Sequence, residues 1–190
     1  MAGRPKIFDE KEVLEKAMEL FWKNGYQATS TDQLLKTLGI KKGSLYHSFT
    51  NKKNLYLQGF ALLEQEWQQE FAQELAQSAR PIQAIKSLFF EIIEEEELHG
   101  CLMGNTLVEL AEQDSDFAQA AKKHLKSLEN IFCEQIRKSQ QTGELKTKKS
   151  PELLALALIN LWNGLHITQR AINDKQALKA MMAVSLEILH

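Results

Sequence analysis

An all-α chain of about nine helices is predicted by three observations. Apolar residues recur at helical spacing along almost the whole of the 190 residues. The 9 Gly and 3 Pro are too few for a many-stranded sheet, which needs a turn every 8–12 residues or so. The apolar stripes are bounded by residues that cap or break helices rather than by strand and hairpin signals.

Each element follows from that pattern. Asp9 is an N-cap for a helix whose stripe is Val13, Leu14, Ala17, Met18 and Phe21, and Asn24-Gly25 ends it. Thr29-Ser30-Thr31-Asp32 offers capping groups before Leu34, Leu35 and Leu38, and Gly39-Ile40 breaks the second helix. A short third helix runs from about Lys41 to Ser48 with Leu45 and Tyr46. Asn51 caps a long fourth helix over 52–77, with Tyr56, Phe60, Leu63, Trp67 and Phe71 along one side. Pro81 suits the first turn of a helix carrying Ile85, Leu88, Phe89 and Ile92. After the break at Leu98-His99-Gly100, a short helix runs from Cys101 to Ala111, then a long one from Asp114 to Gln140, closed by Thr142-Gly143. Ser150-Pro151 opens an apolar helix through about Ala171, and Asn173-Asp174 turns the chain into a last helix from Gln176 to Leu189.

Composition excludes several classes of protein. Hydrophobic residues make up 44% and charged residues 25%, which is the balance of a folded globular chain rather than a disordered one. Two cysteines do not build a disulfide framework and suit a reducing compartment. The opening MAGRPKIFDEKE has no apolar stretch of signal-peptide length, and the apolar run from Leu153 to Trp162, interrupted by Asn160, is too short to cross a bilayer. A cytoplasmic protein without a membrane partner is expected.

The net charge of −2 conceals an asymmetry. Residues 1–60 hold ten Lys/Arg against six acids, and the rest hold thirteen against nineteen. Between residues 20 and 60 Asp32 is the only acid, against six lysines. A cationic end joined to an acidic remainder fits a chain with one part facing a polyanion.

Residues 31–48 give that part a mechanism. Helix, turn at Gly39 and eight-residue helix match the helix-turn-helix unit, in which the N-terminal residues of the second helix lie nearest the base edges of a major groove. Those residues are Lys41, Lys42, Gly43 and Ser44: the lysines donate to guanine or phosphate, and Gly43 permits close approach. Tyr46 and His47 end in polar groups. Thr29, Ser30 and Thr31 place hydroxyls at a helix start where phosphates bind, and Lys52 suits a phosphate too.

The wording of residues 8–60 closely resembles the DNA-binding domain of the tetracycline-repressor family of bacterial regulators. The matching pieces are Ala17–Phe21 ending in Asn24-Gly25-Tyr26, Ala28-Thr29-Ser30-Thr31, Gly39-Ile40, and Lys42-Gly43-Ser44-Leu45-Tyr46-His47-Ser48-Phe49 followed by Lys52-Lys53. The resemblance implies a homodimeric regulator, usually a repressor, whose recognition positions are Thr31 and Lys41 through His47, with Lys52 on the DNA backbone. It implies an N-terminal three-helix domain, 1–51, that reads a pseudo-palindromic operator, and a helical effector-binding and dimerisation domain, 52–190. One departure is the absence of the usual acid before Lys52, where Thr50-Asn51 stand. The Gly3-Arg4-Pro5-Lys6 arm offers Arg4 to a minor groove.

The second half is expected to supply the dimer and the effector site. The last two helices hold Leu153, Leu154, Leu156, Ala157, Leu161, Leu165, Leu178, Met181, Met182 and Leu186, more apolar surface than one monomer face should expose. An unknown small-molecule effector is expected against Trp67, Phe71, Phe89, Cys101, Met103, Asn105, Trp162 and His166, with Phe90 a further large group there. Cys101 admits two readings. At a helix start beside His99 its thiol would be acidified and become an oxidant or electrophile sensor, and the Gly-Cys pair resembles that of a branch of the family with such sensors. Equally, it is a small buried hydrophobe, as Cys133 is expected to be.

The five histidines show no zinc spacing with cysteine or carboxylate, so neither metal nor cofactor is expected. Glu94–Glu97 reads as a solvated acidic helix end, unfavourable for the helix dipole. No phosphate loop or nucleophile elbow supports an enzyme. The alternative function is an architectural DNA-binding protein without an effector.

Overall fold

The computed structural model describes residues 8–96 and 99–190, so the Arg4 arm, Glu97 and Leu98 lie outside the described residues. Among the described residues there are nine α-helices and no strand: α1 Glu10–Asn24, α2 Thr31–Leu38, α3 Lys42–Phe49, α4 Lys52–Gln77, α5 Pro81–Glu94, α6 Leu102–Leu110, α7 Ser115–Thr142, α8 Pro151–Thr168 and α9 Lys175–Ser185. The all-α class and the helix count follow the periodicity.

The capping chemistry is local and matches the sequence. Asp9 accepts from the Lys11 amide, Asn51 from Asn54, and Asp174 from Gln176 and Ala177. Ser30 and Gln33 form a reciprocal capping box at the start of α2. Gly39 ends α2 at φ 65°, a left-handed conformation that costs a side-chain-bearing residue about 1–2 kcal/mol and lets the chain turn at once into α3. The last helix stops short of the predicted Leu189: the chain tightens to a 3-10 turn over Leu186–Leu189, which buries Leu186 and Leu189.

The chain forms two compact units. One takes the residues through Glu66 together with Asn105–Ala120; the other takes Trp67–Gly104 and Ala121–His190. α4, α6 and α7 each run from one unit into the other.

In the first unit, Ala17, Met18, Phe21, Leu34, Leu45, Phe49 and Leu55 form a core with almost no exposed surface. Tyr26, Tyr56 and Phe117 add mutual edge contacts at 5.0 to 5.4 Å, and the Tyr56 hydroxyl lies 2.6 Å from that of Thr106. Gly59 allows α4 to lie against α1: a Cβ there would meet Met18 Cγ, lie 2.7 Å from Met18 Sδ and 3.4 Å from the Leu14 carbonyl oxygen. Gly59→Ala gains about 1 kcal/mol of helix propensity but overpacks a site that typically loses ~1–3 kcal/mol. A net loss measured by urea unfolding is the expected result, with Gly59→Val losing more.

The second unit has its own core, with Ile85, Phe89, Phe132, Ile136, Ala155 and Leu158 fully buried. Glu94 at the end of α5 is not merely solvated, since it pairs with Lys179 at 2.5 Å and Lys175 at 3.1 Å. Those cations hold its carboxyl below the ordinary carboxylate range and compensate the adverse helix-dipole position.

Candidate functional site

α3 divides its residues cleanly. Leu45 and Phe49 turn into the core of the first unit, whereas Lys41, Lys42, Gly43, Tyr46 and His47 are exposed and Ser44 is half-buried. A Cβ at Gly43 would meet open space, so nothing within the chain demands glycine there. No side chain caps α3, and the Ser44 amide already takes the Lys41 carbonyl at 2.9 Å, which leaves the amides of Lys42 and Gly43 to an anion. Lys42 Nζ stands 5.9 Å from the centre of the Tyr46 ring, so the two side chains share one edge of the exposed face. On α2, Ser30 is exposed and Thr31 half-buried, at the start of the helix.

One expected contact needs correction, and a second is held by an aromatic ring. Thr29 is completely buried, and its hydroxyl donates to the Gly25 carbonyl at 2.7 Å, so it braces the turn between α1 and α2 instead of facing DNA. Lys52 is half-buried, with Nζ 4.2 Å from the centre of the Tyr26 ring; burial lowers its pKa, against the attraction of Glu109. Its ammonium sits on an aromatic face that also helps to place it.

The turn is held from a distance in sequence. Glu109, at the end of α6, accepts the Tyr26 amide through Oε2 at 3.1 Å and the Gln27 amide through Oε1 at 2.6 Å. Gln27 Nε2 donates to Gln113 at 2.6 Å, and Lys53 pairs with both Asp114 and Asp116 at 2.6 Å. Nothing in local sequence indicates these partners, which are separated by 61 to 86 positions in chain order.

In the second unit, the predicted aromatic positions do converge. Trp67 stacks on Phe71 at 4.7 Å and meets Trp162 edge-on at 6.2 Å; Trp162 contacts Phe89 at 6.0 Å and His166 at 5.2 Å. His124, not foreseen, lies 5.4 Å from Trp67. Phe90 packs at the edge of this core and Met103 is buried, whereas Asn105 falls among the residues of the first unit. His166 is 6% exposed and desolvation lowers its pKa to about 4, as it does for His124. The neutral ring accepts from Gln169 Nε2, 3.3 Å from His166 Nδ1. A cavity of about 270 Å³ in the same unit is lined instead by Ile93, Glu95, Glu96, Gln169, Ile172, Asn173, Lys175 and Leu178, none of them a predicted effector residue.

Cys101 departs from the sensor expectation. Burial pushes its thiol above the ordinary value, outweighing the amides of Gly104 and Met103 and the Trp162 side chain, which favour the thiolate. Gly104 N–H lies 3.4 Å from Sγ. The helix-start amides are present as expected, but loss of water outweighs them. Cys133 is buried as foreseen. Among the described residues no group of His, Cys, Asp or Glu could hold a metal ion, and no helix is long and apolar enough to cross a membrane.

The arrangement has counterparts among known proteins. The description "Bacterial regulatory proteins, tetR family" matches residues 13–58, and "Tetracyclin repressor-like, C-terminal domain" matches residues 78–184. The HTH-type transcriptional repressor ComR of Escherichia coli is 28% identical over 98% of this chain and 91% of its own. The reduced form of E. coli NemR superposes with a TM-score of 0.86 at 20% identity, covering 96% of this chain and 98% of that one. A cysteine mutant of the TetR-family regulator CifR, complexed with 26-bp double-strand operator DNA, superposes with a TM-score of 0.84 at 23% identity over 99% and 100%. The exposed cationic α3, set on a three-helix core and followed by a second helical unit, and the family matches over both parts of the chain lead to one assignment: the chain belongs to the tetracycline-repressor family of DNA-binding transcriptional regulators, which are not enzymes.

Proposed function

We propose that this regulator is a ligand-responsive repressor, which binds a pseudo-palindromic operator as a homodimer and is released by a small molecule. The observation that carries the reading is the outward face of α3, where Lys41, Lys42, Gly43, Tyr46 and His47 stand exposed together. Ser44 and Thr31 lie beside that face in the proposal, and Ser30 and Lys52 serve the phosphates. DNA reading is assigned to residues 1–51, and effector binding with dimerisation to 52–190.

The dimer contact is placed on α8 and α9. Leu153, Leu156 and Ile167 of α8 are 61, 53 and 70% exposed, and Met181 and Val184 of α9 are 37 and 66% exposed. Gly164 lies on the same exposed side of α8 with open space beyond it, which would let a second helix approach closely. The effector is placed at the cluster of Trp67, Phe71, Phe89, Trp162 and His166, with Cys101 and Met103 of the same unit; the convergence of the five rings supports an apolar or aromatic compound.

The test is fluorescence anisotropy with DNA upstream of the protein's own gene, at ~50 and ~200 mM salt, against a scrambled duplex. A preference of ~10³ or more is expected, and sequence-blind binding would favour an architectural protein instead. Lys41→Ala and Lys42→Ala are each expected to weaken binding about tenfold and to reduce the slope of log affinity against log salt by about 1 if the ammonium meets phosphate. An unchanged slope with altered base preference would place that lysine on a base edge.

A further inference from the structure

We infer that Glu109 is a positioning residue for operator binding: its carboxylate clamps the turn between α1 and α2 and so holds the start of α2 and the seat of Lys52 in place. The inference rests on the DNA-binding reading and adds to it a residue away from the DNA-reading face on which the placement of that face depends.

The geometry starts with two adjacent amides. Tyr26 N–H and Gln27 N–H lie just beyond the end of α1, after Gly25, whose own amide takes the Phe21 carbonyl at 2.8 Å. Each meets a different oxygen of the one carboxylate, at 3.1 and 2.6 Å. Hydrogen bonds to an ionised acceptor are the strong kind, and a bidentate pair fixes orientation as well as distance. A second strand of contacts runs alongside. Gln113 Nε2 donates to the Glu109 carbonyl at 2.7 Å while its Oε1 receives Gln27 Nε2, and Lys53 joins the start of α4 to Asp114 and Asp116.

What the clamp holds is the joint of the DNA-reading unit. The Gly25 carbonyl accepts the Thr29 hydroxyl, and the next residue, Ser30, caps α2. The Tyr26 ring packs on Phe21 of α1 at 5.6 Å and carries the Lys52 ammonium at the start of α4. Moving residues 25–27 therefore moves the start of α2 and the seat of Lys52 together, while the polar face of α3 is left chemically unchanged.

Glu109 also stands on a helix that begins among residues of the second unit and ends in the first. A carboxylate at the end of α6 is a sensitive reporter of that helix. A rotation by one residue turns the side chain through ~100°, and neither amide can then be reached.

The experiment uses the full-length protein and a duplex selected by the wild type from a random pool. Glu109→Ala should remove both acceptors, and Glu109→Gln should keep one. About tenfold weaker operator binding is expected for Glu109→Ala and a smaller loss for Glu109→Gln. The salt slope should fall by no more than about 1, because the released turn displaces the seat of Lys52 while the lysines of α3 keep their phosphates. Hydrogen exchange is the second readout: the Tyr26 and Gln27 amides should exchange at least about tenfold faster, with the α5 amides of the second unit unaffected. Where Glu109→Ala does not fold, Glu109→Gln supplies both readouts. Wild-type affinity in the variants, or unchanged exchange at Tyr26 and Gln27, would overturn the inference. Failure of the wild type to select any duplex would instead count against the DNA-binding reading, while the exchange result would still decide the clamp.

Discussion

Glutamate at Leu156 and Val184 together is expected to leave the chain monomeric and to weaken operator binding by about 10²–10⁴-fold. Both side chains are largely exposed, so neither fills a place in the core of its own unit. Surface substitutions of that kind usually change monomer stability by within about 0.5 kcal/mol. In the proposed dimer the same positions would bring like charges into an apolar contact, which is strongly unfavourable. Two recognition helices joined in one dimer bind the second half-site at high effective concentration, a gain of roughly 10²–10⁴ that a monomer forfeits. Sedimentation velocity gives the mass, and anisotropy on full and half operators gives the affinities. A variant that sediments as a dimer would move the interface off this face. A monomer with undiminished operator affinity would remove the need for a dimer.

Acidification should destabilise the second unit well above the range where carboxylates titrate. His166 and His124 each have a folded-state pKa lowered to about 4 by desolvation, against an ordinary 6.5. The unfolded chain therefore binds protons that the folded chain refuses as pH falls from 6.5 towards 4. Their stabilising contribution is complete above pH 6.5, declines through this interval and is lost once pH reaches the folded value. For His166, which is 6% exposed, the fall from pH 7 to pH 5 amounts to about 2 kcal/mol, and His124 acts in the same direction. Asp114, held low by Lys53 and the Asp116 amide, contributes only at lower pH. Urea unfolding at pH 7 and pH 5 measures the loss. His166→Gln should lower stability at pH 7 yet remove roughly one proton from the slope between pH 6.5 and 5. A slope identical to wild type would show that His166 is protonated in the folded protein.

Much of this molecule was legible because its helices are specified locally. Asp9, Ser30, Asn51 and Asp174 cap helices within three residues of themselves, and the apolar stripes select the buried faces. The separation of Leu45 and Phe49 from Lys42, Tyr46 and His47 on α3 is likewise a matter of helical period. Thr29 was misread because a hydroxyl before a helix looks the same in sequence whether it faces solvent or its own backbone. Cys101 stays open between two readings in the sequence because helix-start amides are visible there, whereas removal of water by packing is not. The partners of the turn at Tyr26 and Gln27 were invisible for a different reason. They arrive from 82 to 86 residues further along the chain, where no local pattern refers back to them.

That long return has a consequence for how the protein is made. The first unit encloses Tyr26 and Tyr56 against Phe117, so its packing is incomplete until residues through 120 have been synthesised. A ribosome adding ~5–20 residues per second would hold the N-terminal helices for several seconds without Thr106, Glu109 and Phe117. In that interval Trp22, already 40% exposed in the finished fold, stands beside an aromatic face that is still uncovered. The DNA-reading helices, first to leave the ribosome, would be completed only when the middle of the chain emerges.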